Sequence, residues 1–240
     1  MRLYHNITML FFITMALIVL TLVIIFENNN YGTVANDSIS GNVVNTQVQL
    51  FPVQSKNCSF HLYPGWNQVS FYCLGMFTDR SQVLQSVDGY YGSIFEYLPN
   101  VANGTWISYN PYIPNWTIQQ LNHMSRTSGY WIYMYSDTNT NDTNITDTST
   151  NFTYAGIYSD SKIYLYKGWN LVGYPNKNTA DINISLIGIP FTVVKHYDTM
   201  GDSWSVYTNG TTGNTLNKFE TYKGYWINVS DDSQWTITIN

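Results

Sequence analysis

The chain has 240 residues, of which 10% are charged and 17% aromatic, and its formal net charge is −5. Average domains carry about 25% charged residues, so solubility here falls to Asn, Thr and Ser. Its basic residues form no cluster, which removes the Lys and Arg face that phosphate neutralisation requires, and no nucleic-acid partner is expected.

The chain opens with a short segment, 1–8, in which Arg2 favours a cytoplasmic end. Met9 to Phe26 follows as an uninterrupted apolar run of 18 residues without a charge. At helical rise this spans about 27 Å, enough for a hydrocarbon core. Membrane lipid is therefore the partner expected for 9–26. A cleaved signal is the rival reading. It is disfavoured because the run ends in Glu27-Asn28-Asn29-Asn30 and no small-x-small site follows at once. Residues 27–57 read as a stalk, with one short alternating stretch at Val43 to Val53.

Beyond the stalk the sequence repeats itself. Pro64 to Phe71 reads Pro-Gly-Trp-Asn-Gln-Val-Ser-Phe, and Lys167 to Tyr174 reads Lys-Gly-Trp-Asn-Leu-Val-Gly-Tyr. Each copy leads to a closing Gly-Tyr-Trp-Ile, at Gly129 to Ile132 and at Gly224 to Ile227. Between these marks Tyr97, Trp106 and Tyr109 answer to Tyr197, Trp204 and Tyr207, and Leu121 answers to Leu216. Internal self-similarity outranks local propensity in reading a fold. It predicts β-module 1 over 58–136, an Asn/Thr-rich linker over 137–153 and β-module 2 over 154–240. The linker composition buries too little apolar area to offset chain entropy.

Within the modules the alternation predicts strands, including a terminal one from Gln234 to Ile239. Hairpins are expected about Lys167-Gly168-Trp169 and about Met200-Gly201-Asp202. Short helical turns are expected at Ser81 to Val87, Asp181 to Ile187, Thr117 to Met124 and Thr215 to Phe219, with Ser81 and Asp181 as N-caps. The fold class is then mainly β with minor α, an N-terminal transmembrane helix plus two tandem small β-rich modules.

Asn-x-Ser/Thr triplets begin at Asn36, Asn57, Asn103, Asn115, Asn141, Asn144, Asn151, Asn183, Asn209 and Asn228. Chance in an Asn- and Thr-rich chain accounts for part of them. With the apolar leader they predict an outward-facing glycoprotein at the cell membrane. Cys58 and Cys73, the only cysteines, flank the first Gly-Trp-Asn turn. A hairpin there brings them near one another and makes a disulfide feasible in an oxidising compartment; two buried free thiols are the alternative. Ser161 and Asn176 stand at the corresponding places in the second copy.

Signals for chemistry are few. His5, His61, His123 and His196 show no zinc-site spacing, and neither a metal nor a cofactor is expected. Glu96 and Glu220 are the one conceivable glycosidase pair, but they occupy unrelated places in the repeat, and no catalytic residues are assigned. Asp231-Asp232 reads as a solvated turn before it reads as a calcium site. The recurring tryptophans, Trp66 and Trp169, Trp106 and Trp204, Trp131 and Trp226, are expected in the two cores, since each buries about 150 to 250 Å². The candidates for sugar stacking are instead the non-recurring Tyr90, Tyr112 and Trp116, with packing into an intermodule or subunit contact as the equal alternative.

The second copy, Gly168-Trp169-Asn170-Leu171-Val172-Gly173-Tyr174-Pro175, with Tyr197-Asp198, Trp204, Tyr207, Leu216, Gly224-Tyr225-Trp226-Ile227 and Trp235-Thr236, resembles a repeat of secreted and cell-surface proteins of archaea. The first copy departs from it at Gln68 and Tyr72-Cys73. That resemblance implies an envelope location and a β-rich module without catalysis. A membrane glycoprotein of an archaeal virus shares the composition, which would put the chain in a host membrane or virion envelope. The reading is a single-pass, membrane-anchored, non-catalytic surface protein for adhesion or envelope structure, with glycans or surface proteins as partners. The alternatives are a secreted carbohydrate-active enzyme or its carbohydrate-binding accessory module, and a filament, lattice or viral envelope subunit.

Overall fold

The computed structural model describes residues 56–101, 104–114, 116–135 and 149–239. The apolar run 9–26, the stalk up to residue 55 and the sequons at Asn36, Asn103, Asn115, Asn141 and Asn144 lie outside the described residues. No helix among the described residues is long and apolar enough to cross a membrane.

The first copy is built from β1 (Lys56–Leu62), β2 (Gly65–Val69), β3 (Thr78–Asp79), α1 (Arg80–Val83) continuing into a 3-10 turn at Gln85–Val87, β4 (Tyr91–Leu98), β5 (Thr105–Tyr109), β6 (His123–Met124), β7 (Tyr130–Met134) and β8 (Thr150–Gly156). The second repeats that order as β9 (Ser161–Leu165), β10 (Gly168–Gly173), β11 (Ala180–Asp181), α2 (Ile182–Ser185), β12 (Phe191–Asp198), β13 (Ser203–Thr208), β14 (Lys218–Phe219), β15 (Gly224–Val229) and β16 (Ser233–Ile237). Pairing repeats as well. A four-stranded antiparallel sheet β2-β7-β4-β5 corresponds to β10-β15-β12-β13, the ribbon β1-β8 to β9-β16, and the short pair β3-β6 to β11-β14. Even the irregularity recurs, at Tyr91/Ser93 in β4 and Phe191/Val193 in β12.

The ladder revises the sequence-derived boundaries. β8 pairs with β1 along its whole length, from Lys56 opposite Gly156 to Leu62 opposite Thr150. Residues 150–156 therefore close the first copy, and the expected linker and second-module start cut through this strand. Phe152 of β8 is buried where Trp235 of β16 is buried. The Asn/Thr-rich segment runs between β7 and β8 of one unit, where the second has only Ser230 to Asp232. The short passage 157–160 joins the copies.

The Gly-Trp-Asn turn is likewise not a hairpin. β1 and β2 belong to different sheets, as do β9 and β10, so the turn carries the chain around a corner. Gly65 and Gly168 adopt φ of 94° and 98°, which favours glycine. The buried Asn170 then seals the corner: its Oδ1 accepts the Tyr166 N–H at 2.8 Å, and its Nδ2 donates to the Tyr166 and Gly168 carbonyls at 2.7 and 3.1 Å. Asn67 does the same for Tyr63 and Gly65. The expected hairpin at Met200-Gly201-Asp202 is present as β12-β13, with Asp198 opposite Ser203.

Helical content is smaller than the turns suggested. Asp79, not Ser81, caps α1, its carboxylate accepting the Ser81 N–H at 2.7 Å. The stretches expected as turns before the closing motifs end in β6 and β14, which pair with β3 and β11 because their partners lie far along the chain.

Each copy has its own core. Leu62, Leu74, Ile94, Tyr130, Ile132 and Phe152 are fully buried in one, and Ile182, Val194, Phe219, Tyr225, Ile227 and Trp235 are buried in the other. The two copies then meet reciprocally. Val69 bridges Lys223 and Val172 bridges Ser128. Ser70 N–H donates to the Tyr222 carbonyl at 2.7 Å, as Gly173 N–H does to Thr127 at 2.9 Å. At the contact a Cβ on Gly129 would stand 2.8 Å from the Val172 carbonyl oxygen, and one on Gly224 2.8 Å from that of Val69. The glycine of the closing motif is therefore set by the neighbouring copy.

Gly224→Ala is expected to destabilise the protein by about 1 to 3 kcal/mol, the usual penalty for overpacking. Asn170→Ala, which strands buried backbone groups at the corner, costs about as much. Urea denaturation of each variant against the parent checks both.

Candidate functional site

Alternation along the central strands decides which aromatic rings face out. In Gly-Tyr-Trp-Ile the tyrosine and isoleucine point into the core, and the Tyr130 and Tyr225 hydroxyls accept the backbone N–H of Ser125 and Glu220 at 2.7 and 2.6 Å. The tryptophan between them points away. In Gly-Trp-Asn the asparagine is bound to the corner, so its tryptophan also points away. The recurring tryptophans consequently do not fill the cores as expected: Trp66, Trp106, Trp169 and Trp204 are 41%, 46%, 38% and 47% exposed, and Trp131 and Trp226 are half-buried.

Joined through Phe95, which lies 5.7 Å from Trp66 and 6.3 Å from Trp106, these six rings form one aromatic strip across both copies. Trp226 packs against Tyr97 and Trp106 of the first copy at 5.1 and 5.8 Å, and Trp131 packs reciprocally against Tyr197 and Trp204 of the second at 5.3 and 5.9 Å. Trp66 and Trp169 lie 6.3 and 6.2 Å from Trp131 and Trp226. Most contacts are edge-to-face or tilted, the geometry favoured by ring quadrupoles, so some ring faces remain open. Two apolar clefts flank Trp106. One of about 470 Å³ is lined by Tyr97, Trp106, Trp169, Lys195, Trp204 and Trp226, and one of about 520 Å³ by Trp66, Phe95, Trp106 and Trp131. Both fall in the size range of small-ligand sites.

The strip is held by polar contacts behind it. Gln68, which departs from the leucine of the second copy, is buried and its Oε1 accepts the Tyr197 N–H at 2.6 Å. Thr199 donates to the Trp66 carbonyl at 2.8 Å. At the opposite side of the copy contact, buried Arg126 donates to Ser161 Oγ at 2.9 Å, to the Leu74 carbonyl at 3.1 Å and to Ser159 Oγ. Burial holds its pKa below the ordinary value. Nearby, the Tyr72 hydroxyl lies 2.8 Å from that of Tyr158 and 3.2 Å from that of Tyr222.

The other expected site residues are dispersed. Cys58 and Cys73 are joined in a disulfide with Cα atoms 6.4 Å apart, in a buried cluster with Tyr72. Ser161, at the place of Cys58, is the serine that receives Arg126; Asn176, at the place of Cys73, donates to the Thr238 carbonyl at 3.2 Å. Tyr90, Tyr112 and Trp116 are exposed and none lines the two aromatic clefts; Tyr112 packs on Tyr135 instead. Asn57, Asn151, Asn183 and Asn209 are exposed sequon positions. Half-buried Asn228 lies in central strand β15 opposite Trp169, on the aromatic face. Asp232 accepts the Lys167 N–H at 2.7 Å as a turn carboxylate. His61 lies 3.2 Å from Ser149, His123 is an exposed β6 residue, and His5 is outside the described residues. Among the described residues no group of three or more His, Cys, Asp or Glu is placed to hold a metal ion.

Glu96 and Glu220 have unlike surroundings. Glu220 forms a partly exposed ion pair with Lys223 at 3.0 Å. Glu96 is buried; burial pushes its carboxyl up to about 7, opposed by a hydrogen bond with Ser128. His196 stands at the equivalent place in the second copy. Burial pushes it down to about 4, opposed by its Nδ1 hydrogen bond to the Gly224 carbonyl at 2.9 Å. The repeat therefore places two buried titratable groups of opposite sign at equivalent positions.

No family model matches the chain, and no curated protein or solved structure is significantly similar to it.

The two buried groups predict opposing pH slopes. Glu96 contributes stability that is full below its ordinary value of 4.5 and lost as pH rises to about 7. His196 contributes stability that is full above its ordinary 6.5 and lost as pH falls to about 4. Each span corresponds to about 3 kcal/mol. Relative to the parent, Glu96→Gln should gain stability as pH rises from 4.5 to 7, and His196→Gln should gain as pH falls from 6.5 to 4. Denaturation midpoints across that range measure both.

A further expectation concerns the disulfide. With its cysteines 15 positions apart in sequence, reduction should cost about 3 kcal/mol. A thermal melt with and without reductant reads the loss.

Proposed function

We propose that this chain is an exported, membrane-tethered surface glycoprotein with a non-catalytic adhesion or envelope role, and that it binds carbohydrate along its tryptophan strip. The strip carries the reading. Monomers rarely expose a large contiguous apolar patch without using it, and planar indole faces with few hydrogen-bonding neighbours suit the apolar faces of sugar rings. The tether rests on the apolar run 9–26, and the outward location on that run together with the sequons and the disulfide. The repeat's likeness to archaeal cell-surface modules supports the same placement. The role as an anchor, the occupancy of each sequon and the choice between cell and virion belong to this proposal.

A second reading, a subunit of a filament or lattice, draws on Phe77, Trp116 and Ile118, which are 86%, 85% and 90% exposed in the first copy and lie outside the aromatic clefts. Under it the exposed residues would be covered by another protein.

The test is binding of neutral hexasaccharides to the full-length chain in detergent, followed by tryptophan fluorescence and calorimetry. Trp106→Ala should weaken binding about tenfold or more, since aromatic stacking contributes on the order of 1 to 3 kcal/mol, while leaving the melting temperature within a few degrees. Absence of saturable sugar binding, together with concentration-dependent self-association in sedimentation, supports the second reading instead.

A further inference from the structure

The two halves of the strip are built from equivalent positions, so any difference between them marks a difference in what they hold. Trp66, Trp106 and Trp131 correspond to Trp169, Trp204 and Trp226, and Tyr97 corresponds to Tyr197. Two positions break the match: Tyr133, opposite Trp66, is answered by Asn228, opposite Trp169, and Phe95 is answered by Lys195. Phe95, opposite Trp131 on β7, lines the cleft of about 520 Å³, and Lys195, opposite Trp226 on β15, lines the one of about 470 Å³.

Lys195 is placed to serve a ligand. Its side chain is half-buried, its Nζ lies 5.3 Å from the centre of the Trp169 ring, and it forms no ion pair among the described residues. None of the side chains lining its cleft is acidic. An ammonium held over an indole is worth about 0.5 to 1 kcal/mol and still has hydrogens to donate. It occupies the position that a cationic ligand would seek on the ring faces, so a second cation is repelled there and an anion is attracted.

We propose that the cleft around Lys195 is a subsite for an acidic sugar, whose carboxylate or sulfate accepts from the Lys195 ammonium while its ring stacks on the neighbouring tryptophans. The cleft around Phe95 takes a neutral sugar of the same chain. This assignment rests on the carbohydrate reading above. The net charge of −5 opposes a dense polyanion at long range, so the ligand is a mainly neutral glycan carrying isolated acidic units. A charge-assisted hydrogen bond is about twice as strong as a neutral one, and its loss is read as a change in preference between matched glycans.

The experiment compares xylo-oligosaccharides of one length that are neutral, carry a single glucuronate, or carry a single sulfate, titrated into the full-length chain in detergent by calorimetry. The parent should bind one or both acidic forms about tenfold more tightly than the neutral form; which acid wins identifies the anion. Lys195→Met should abolish that preference, and Lys195→Arg should retain it. If Lys195→Met leaves the preference intact, or the parent shows none although Trp106→Ala still weakens neutral binding, the acidic subsite is wrong and the carbohydrate reading stands. If none of the three sugars binds the parent, both fall.

Discussion

The structure depends on a close approach of two backbones. Where the copies meet, Gly129 and Gly224 each leave less room than a methyl group requires before a carbonyl of the other copy. The contact is reciprocal, as an isologous interface is between subunits, but here both faces belong to one chain. It aligns the outward faces of the two central sheets so that Trp226 reaches Tyr97 and Trp131 reaches Tyr197. Loosening the approach would separate the halves of the strip before it disturbed either core.

Each repeated motif serves that arrangement with a distinct residue. Glycine turns the corner, asparagine seals it, tyrosine closes the loop before the central strand, and the tryptophans are left to face out. Several of the most recognisable residues thus lie outside both cores. A chain with few charges can tolerate such a face because the rings pack on one another and shield part of their area from water.

The copies have diverged most where a shared position meets different surroundings. Cys58 and Cys73 are bridged in one copy, while Ser161 and Asn176 are drawn into hydrogen bonds in the other. Gln68 reaches across to the backbone of β12, whereas Leu171 at the same place packs against Gly129. Glu96 and His196 bury groups of opposite charge type, and Phe95 and Lys195 distinguish the two clefts. The duplication has preserved the scaffold and varied positions in the clefts, in the interior and at the contact between the copies.

By itself the sequence determined the repeat, the strand-rich class and the recurring glycines, because these are carried by residue spacing and alternation; it made the Cys58–Cys73 bridge feasible only through a hairpin that the structure replaces with a corner. It matched Leu121 to Leu216, which the structure buries in the two cores, and it placed the terminal strand within a residue or two. It could not show that Thr150 to Gly156 returns to pair with Lys56 to Leu62, since such a pairing joins positions far apart along the chain across a polar segment. Nor could it orient the tryptophans. A ring that recurs for packing and one that recurs for display leave the same pattern, and only the corner at Asn67 and Asn170, with the tyrosines bound into the loops, fixes which face of each strand meets the core.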